Sequence, residues 1–167
     1  MKRDLYIGID PGANGYLCQW DGSRYTWYPL REDRNSKGVN PAVLDTLQAA
    51  SAQNSIVCIE QVHSMPLQGV ASTFTFGFNV GYIEGVVAAF KLPICKVTPT
   101  KWQRVMIEPQ DRVTNEDGKV QPKPTSYNAC RRLHPCEDFR RNKRCRTYDD
   151  NKCDATLICD YAQRLNL

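Results

Sequence analysis

The amino-acid sequence predicts an α/β protein in which a mixed five-stranded sheet is flanked by helices. Three apolar runs with short turn signals between them fill the first thirty residues, and two further apolar runs alternate with helical segments. An antiparallel meander followed by β-α units and a terminal helix is typical of a mixed sheet. The chain has 167 residues, enough to bury a core, and we expect a single domain over residues 1–167.

The first three strands are predicted from β-prone apolar runs that end at turn-forming residues. They cover residues 5–9, 16–20 and 25–28. A helix then begins at Asn40-Pro41, where Asn is a favoured cap and Pro suits the first turn, and it runs to about Gln53. A buried strand follows at residues 56–59.

A long apolar segment over residues 72–90 predicts a helix with three glycines at four-residue spacing. Gly77, Gly81 and Gly85 share one helical face and leave room for another backbone to approach. We expect this face to pack closely either on the sheet or on a partner subunit.

The C-terminal half alternates short regular elements with polar connections. The predicted elements are a strand at 94–97, a helix from Thr98-Pro99 to Met106, a long mobile loop at 107–124, a basic helix at 126–133, an irregular basic link at 135–148 and a final helix at 151–165. The final helix completes the α/β pattern.

Two classes of protein are disfavoured by the composition. No stretch reaches the roughly 20 apolar residues of a membrane span, and the charged N-terminus lacks the features of a signal peptide. We therefore expect an intracellular protein, in the cytoplasm of a bacterial or phage-infected cell, that has no membrane partner.

Eight cysteines and two histidines raise the questions of disulfides and zinc. A disulfide framework is not expected in a domain of this size without a secretion signal, and no Cys-x-x-Cys pair indicates zinc. Cys18, Cys58 and Cys95 lie in apolar runs and are typical core residues. The set that stays open as a metal cluster, against unlinked thiols, is His134, Cys136, Cys145 and Cys153.

Carboxylates recur at positions where a metal site can form. Two of them end apolar runs and two open the final helix one turn apart: Asp10, Glu60, Asp150 and Asp154. Hard divalent cations take such oxygen ligands, and two cations can activate a water and stabilise the leaving oxygen of a phosphodiester. Each acid alone has an ordinary alternative, as a turn former, a strand-end residue or a complement to the helix dipole. Their recurrence favours Mg²⁺ or Mn²⁺, while the neighbouring Asp149 is expected to cap the helix.

The net charge is +4, and basic residues crowd into the link before the final helix. The link includes Arg140, Arg141, Lys143 and Arg144. Carboxylates repel a polyanion, so a nuclease needs nearby cations to hold the phosphates. A solvated loop is the alternative for such a charge run.

Four segments, in order along the chain, carry a specific resemblance. They are Ile9-Asp-Pro-Gly-Ala-Asn-Gly-Tyr16, Ile59-Glu-Gln-Val62, Gly81-Tyr-Ile-Glu-Gly-Val-Val-Ala-Ala89 and Val97-Thr-Pro-Thr-Lys-Trp102. They closely resemble the RuvC family of Holliday-junction resolvases, and residues 63–77 are more similar to its phage and organellar branch. The resemblance implies an RNase H-like fold and a homodimer with two Mg²⁺ or Mn²⁺ ions per site and no nucleotide cofactor. It also implies paired nicks in four-way DNA junctions, in recombination and repair.

Matched residue by residue, the resemblance implies a set of metal ligands. Asp10, Glu60 and Asp154 match three acidic ligands of the family. The remaining ligand lies three or four residues before the last one, where this chain has Asn151 and Asp150, respectively. We favour Asp150 because Asn is the weaker metal ligand.

The resemblance also implies two DNA contacts. His63 follows Glu-Gln-Val where the bacterial family has an aromatic residue that stacks on junction bases, and a hydrogen-bonding loop residue is the alternative. Lys101 matches the basic residue after the Thr-Pro turn that meets a DNA phosphate, with an ordinary exposed lysine as the alternative. The adjacent Trp102 is expected in the core. Residues 107–148 match no part of the family.

Two further functions compete with a junction endonuclease. The actin-like sugar kinase and ATPase superfamily also begins with a strand ending in Asp-x-Gly, but this chain is too short for two lobes and has no Walker-type loop. The second is a branched-nucleic-acid-binding protein of the same fold with weak or no activity. Retained carboxylates disfavour it, since acids in a DNA groove reduce affinity.

Overall fold

The computed structural model of the chain describes residues 2–12, 14–32, 38–61 and 69–167, apart from four side chains near the start of the second helix. Five strands form one sheet: β1 (Leu5–Ile9), β2 (Tyr16–Trp20), β3 (Tyr25–Pro29), β4 (Ser55–Glu60) and β5 (Ile94–Val97). Their order is β3-β2-β1-β4-β5, with β1–β2 and β2–β3 antiparallel and β1–β4 and β4–β5 parallel. The predicted mixed sheet is confirmed.

Five α-helices and one 3₁₀ turn accompany the sheet in the described ranges. They are α1 (Pro41–Ala50), α2 (Val70–Ala89), α3 (Pro99–Met106), the 3₁₀ turn (Pro109–Asp111), α4 (Pro122–Leu133) and α5 (Asp150–Arg164). The start of α1 is capped as expected, because the Asn40 side chain accepts the N–H of Ala42. The predicted helices are confirmed, with ends displaced by a few residues.

Strand β1 lies at the centre of the sheet and is buried on both faces. Leu5, Ile7 and Ile9 join a core that includes residues of α1 and α2, whereas Tyr6 joins the core formed with α3, α4 and α5. Helices therefore cover both faces of the strand that leads to Asp10.

Gly8 sets the distance between β1 and α5. A side-chain carbon at Gly8 would lie 2.3 Å from the backbone nitrogen of Cys159 and 2.4 Å from the carbonyl oxygen of Ala155. Because both neighbours are backbone atoms, they cannot move aside as a flexible side chain can, so this approach requires glycine. The close contact fixes α5 on the sheet and with it the acids of its first turns.

The prediction of a long loop at residues 107–124 is wrong in part. The segment contains the 3₁₀ turn Pro109–Asp111 and an antiparallel bridge, and α4 begins earlier than expected, at Pro122. Pro suits the first turn of a helix because the N–H it lacks would have no partner there. The guanidinium of Arg132 holds the segment through both carboxylate oxygens of Asp111, at 2.7 Å for the shortest contact.

Helix α2 turns its glycines away from the sheet. Among the described residues, nothing lies within 4 Å of a side-chain carbon placed at Gly77, Gly81 or Gly85. Close packing of this face on the sheet, one of the two expected alternatives, is therefore wrong, and α2 buries Ile83 and Val87 instead. Neither α2 nor any other helix in the described ranges is long and apolar enough to cross a membrane.

Candidate active site

Asp10 and Glu60 lie side by side at one edge of the sheet. The parallel register of β1 and β4 pairs Ile9 with Ile59. Asp10 and Glu60 follow these partners, so they reach the carboxyl ends of neighbouring strands at the same level. Ligands of α/β sheets bind at this edge, because parallel strands present their carboxyl ends together. The structure thus brings together two acids from distant parts of the sequence.

Asp10 is held in a tight turn. Its backbone N–H donates to the Tyr16 carbonyl at 3.1 Å, and its Oδ1 accepts the N–H of Gly12 at 3.0 Å. The side chain is buried, with 7% of the residue exposed. Burial and the charges of Asp154 and Glu60 raise the pKa of Asp10 well above its usual range, although the Gly12 N–H opposes the rise.

Glu60 is oriented by the aromatic core. The indole N–H of Trp102, in α3, donates to Glu60 Oε1 at 2.7 Å. Trp102 is buried as expected, with 1% of the residue exposed. Burial raises the pKa of Glu60, and the Trp102 hydrogen bond lowers it in part.

Asp154 enters the same region from α5. Its Oδ1 is buried and has no hydrogen-bond partner among the described residues. Burial is the largest cause that raises the pKa of Asp154 to about 7. The hydroxyl of Ser126 and the ammonium of Lys123 lower this pKa, whereas the charges of Glu60 and Asp150 raise it. The negative charge of Asp154 is therefore poorly stabilised by the hydrogen bonds and cations that the protein itself supplies.

Asp150 lies one turn before Asp154 and is paired with a cation. Lys123 Nζ, in α4, contacts Asp150 Oδ2 at 2.8 Å. The Lys123 side chain is 72% exposed, so this pair contributes at most about 1 kcal/mol and can open readily. Asp150 also raises the pKa of both Asp10 and Asp154, which places its charge within reach of the cluster.

Asn151, the alternative to Asp150 as the fourth metal ligand, is oriented by the residue that caps α5. The carboxylate of Asp149 accepts the backbone N–H of Asn151 at 3.2 Å and its side-chain N–H at 3.3 Å, which confirms Asp149 as the cap. The amide oxygen of Asn151 faces Gly12, 3.9 Å from where a side-chain carbon would lie there. Asn151 therefore directs an uncharged oxygen toward the turn that holds Asp10.

The donor set fits a hard divalent cation by its chemistry. In the part of the chain that the structure describes, no three acidic, His or Cys side chains are arranged to hold an ion as they stand. Asp10, Glu60 and Asp154 nevertheless repel one another at one edge of the sheet, and Asp154 Oδ1 lacks a donor. A divalent cation would relieve the repulsion and give the buried oxygen a partner, and Mg²⁺ and Mn²⁺ prefer such ligands.

The predicted DNA-contacting residues that the structure describes lie on the surface. These exposed residues are Lys101 in α3 and Arg140, Arg141, Lys143 and Arg144 in the link. The guanidinium of Arg140 is bound by the Asp138 carboxylate at 2.8 Å, so it is less available to a phosphate than the other three link residues. His63 lies outside the described residues.

The basic link is attached to α5 by Lys152. This buried ammonium lies 4.2 Å from the ring centroid of Trp27 and donates to the carbonyls of Asp138 and Arg140. Because Lys152 lies between Asp150 and Asp154 in sequence, the link is fixed close to the acidic helix. The basic and acidic segments predicted separately are therefore neighbours in space.

Among the described residues, His134, Cys136, Cys145 and Cys153 do not form a group arranged to hold a metal ion. His134 Nε2 contacts Asp160 Oδ2 at 2.6 Å, Cys153 is buried, and Cys136 is exposed. All eight cysteines are free thiols. Cys18 and Cys58 are core residues as expected, and Cys95 is half-buried.

Three residues around the acids were missed by sequence reasoning. Trp102 was assigned only to the core, and Ser126 and Lys123 fall in the segment that matches no family motif. Each acts on an acid far away in sequence, so no local pattern indicates the pairing. The only available signal was the basic, polar start of α4, which contains both Ser126 and Lys123.

Two solved structures of RuvC from Thermus thermophilus are similar in fold to this chain. The structure titled "T. thermophilus RuvC in complex with Holliday junction substrate" aligns at a TM-score of 0.53 and 10% identity, over 96% of each chain. The fold of this chain is similar to that of RuvC. A second RuvC structure from Thermus thermophilus aligns at a TM-score of 0.50 and 12% identity, also over 96% of each chain. The predicted RNase H-like fold is thereby confirmed. No protein-family model and no curated protein sequence matches the chain.

Proposed function

We propose that the protein is a metal-dependent endonuclease that resolves four-way DNA junctions by paired nicks. The observation that carries the proposal is the meeting of Asp10, Glu60 and Asp154 at one sheet edge, each with a pKa raised by burial. Buried acids that repel one another destabilise a fold. Such an arrangement is expected at a functional site, because a bound cation compensates the repulsion. The RuvC-like fold supports the same function, since one such structure contains a Holliday junction.

Four side chains would hold two Mg²⁺ or Mn²⁺ ions: Asp10, Glu60, Asp150 and Asp154. When bound, such ions supply an activated water and stabilise the leaving oxygen of a phosphodiester. Trp102 orients Glu60 through its 2.7 Å hydrogen bond. The Asp150 carboxylate becomes available when its exposed pair with Lys123 opens, and the freed ammonium can then bind a DNA phosphate.

Binding of branched DNA is assigned to basic side chains around this edge. Lys101 lies exposed on α3, and Arg141, Lys143 and Arg144 lie exposed on the link that Lys152 attaches to α5. Such contacts hold phosphates without reading the sequence. Arg140 and His63 remain proposed DNA contacts.

A role in recombination and repair of DNA requires an intracellular protein. We therefore propose that the chain is a single domain that acts in the cytoplasm of a bacterial or phage-infected cell.

A homodimer is supported by the outer face of α2. Phe74, Phe78 and Tyr82 are spaced four residues apart, and they are 75%, 52% and 39% exposed, respectively. Gly77 and Gly81 lie among them with nothing described within 4 Å of an added side-chain carbon. Exposed aromatic side chains beside small residues suit contact with a second copy, and two matched nicks require two active sites.

The test is cleavage of a labelled mobile four-way junction in Mg²⁺ and in EDTA. Linear duplex, fork and flap substrates of matched sequence are the controls. We expect paired nicks at symmetrical positions in the junction with Mg²⁺ and none with EDTA. Tight junction binding without cleavage in Mg²⁺ or Mn²⁺ would instead support the inactive junction-binding protein, and equal cutting of all substrates would contradict junction selectivity.

A further inference from the structure

A cavity of about 300 Å³ lies between α4 and the basic link. Tyr127, from α4, and Tyr148, from the end of the link, line it with their rings stacked. The ring centroids are 4.0 Å apart and the ring planes differ by 6°. Both tyrosines are half-buried, so the pair is an aromatic surface that still reaches solvent.

Cationic side chains also line this cavity. Arg131 and Arg146 are both exposed there, and neither has an ion pair with any carboxylate in the described part of the chain. Arg131 donates one N–H to the Tyr127 hydroxyl at 3.4 Å, which leaves its other donors for a ligand. The acids that line the cavity are Glu137 and Asp138, and Asp138 is already bound by Arg140. Two guanidinium groups are therefore available beside the aromatic surface, and guanidinium binds phosphate with two parallel hydrogen bonds.

The cavity adjoins the acidic cluster through both of its walls. Tyr148 comes two residues before Asp150. On the other wall, Tyr127 lies one helical turn after Lys123, whose ammonium contacts Asp150 at 2.8 Å. A ligand bound in the cavity would thus lie next to a DNA strand whose phosphate is held at the acidic cluster.

We propose that this cavity binds one unpaired nucleotide of the DNA, with its base against the tyrosine pair and its phosphate on Arg131 and Arg146. The inference rests on the proposed function, which makes DNA the ligand. A cavity of this volume admits a single nucleotide and excludes a duplex. Aromatic rings interleaved with cations are the means by which proteins bind single strands without base-specific hydrogen bonds. The site would favour junctions whose strands open next to the cut.

The test is binding of a labelled single-stranded deoxythymidine pentamer in EDTA, where no cleavage occurs. Tyr148→Leu removes the stacking surface, and Tyr148→Phe is the matched control that keeps the ring. We expect roughly 5- to 100-fold weaker binding for Tyr148→Leu and less than a twofold change for Tyr148→Phe. Arg146→Gln, at an exposed position, should reduce the slope of log affinity against log salt by about 0.7.

Wild-type affinity of Tyr148→Leu for the pentamer would overturn the proposal, as would an equal loss of affinity for a blunt duplex. If Tyr148→Leu does not fold, an unchanged salt slope for Arg146→Gln overturns it instead. Because binding is measured without metal, a failure of junction cleavage would contradict the proposed nuclease activity without affecting this result. Junction cleavage by the wild type together with wild-type pentamer binding by Tyr148→Leu would contradict only the proposed nucleotide site.

Discussion

Trp102 donates its indole N–H to Glu60 Oε1 at 2.7 Å and thereby connects the aromatic core to the acidic cluster. The tryptophan is almost fully buried, so it holds the carboxylate in a fixed orientation. The bond also lowers the pKa of Glu60 against the larger effect of burial. A residue that the sequence assigns to packing alone therefore takes part in preparing the site.

Replacing Trp102 by Phe keeps an aromatic ring and removes the donor. A hydrogen bond to a charged group is worth about 1.5–3 kcal/mol, so we expect junction cleavage at limiting Mg²⁺ to fall by roughly tenfold or more. Trp20→Phe is the matched control, because the Trp20 ring packs on Tyr25, with ring centroids 4.5 Å apart, and its indole donates to no acid among the described residues. Equal losses of activity for the two variants, measured by cleavage rate against Mg²⁺ concentration, would contradict the role of Trp102.

The fold was predictable because its signals are local. Apolar runs that stop at Gly and Pro define the strands, and carboxylates at the ends of two such runs predicted that Asp10 and Glu60 share an edge. Residues 107–124 were predicted poorly, since their order depends on Arg132 contacting Asp111, 21 residues away in sequence. The partners of the acids were missed for the same reason, because Trp102 and Lys123 act across the fold.

The pKa of Asp154 gives a prediction about stability and pH. Its pKa rises from 3.8 to about 7 on folding, so the folded state binds more protons than the unfolded state between these values. Without metal, Asp154 should therefore lower the free energy of unfolding as pH increases from about 4 to about 7, by up to roughly 1.4 kcal/mol per pH unit. Asp154→Asn should remove much of this decline, as measured by chemical denaturation in EDTA at pH 5 and pH 8.

Glu116→Gln is the control for that experiment, since Glu116 is an exposed acid between α3 and α4. It should keep the wild-type dependence on pH. If the free energy of unfolding depends on pH in the same way for wild type and Asp154→Asn, folding does not raise the pKa of Asp154 and the prediction is contradicted.

Asp150 and Asn151 compete for the fourth ligand position. Asp150 carries a charge that acts on both Asp10 and Asp154, and its pair with Lys123 is exposed. We expect Asp150→Asn to reduce junction cleavage by roughly a hundredfold or more, and Asn151→Ala to retain most of it. The measurement is single-turnover cleavage in Mg²⁺ and in Mn²⁺. The reverse ranking would assign the position to Asn151, whose amide oxygen faces Gly12.

Gly81→Ala separates packing within the subunit from contact between subunits. Nothing described lies within 4 Å of the added carbon, and Gly in a helix is about 1 kcal/mol less favourable than Ala. We expect a more stable subunit but a weaker dimer, measured by thermal unfolding and by sedimentation over a range of concentrations. Gln48→Ala, at an exposed position of α1, should leave dimerisation unchanged. A wild-type protein that stays monomeric at micromolar concentration, with and without DNA, would contradict the dimer.

The most direct test of the acidic cluster is junction cleavage by Asp10→Asn, with junction binding measured on the same preparation. We expect cleavage in Mg²⁺ to fall by at least roughly a thousandfold, while binding stays the same or tightens, because one negative charge facing the phosphates is removed. Asp4→Asn is the matched control, an exposed acid at the opposite end of β1 that should cut normally. Cleavage by Asp10→Asn at the wild-type rate would contradict the proposal that the carboxyl edge of this sheet is the active site.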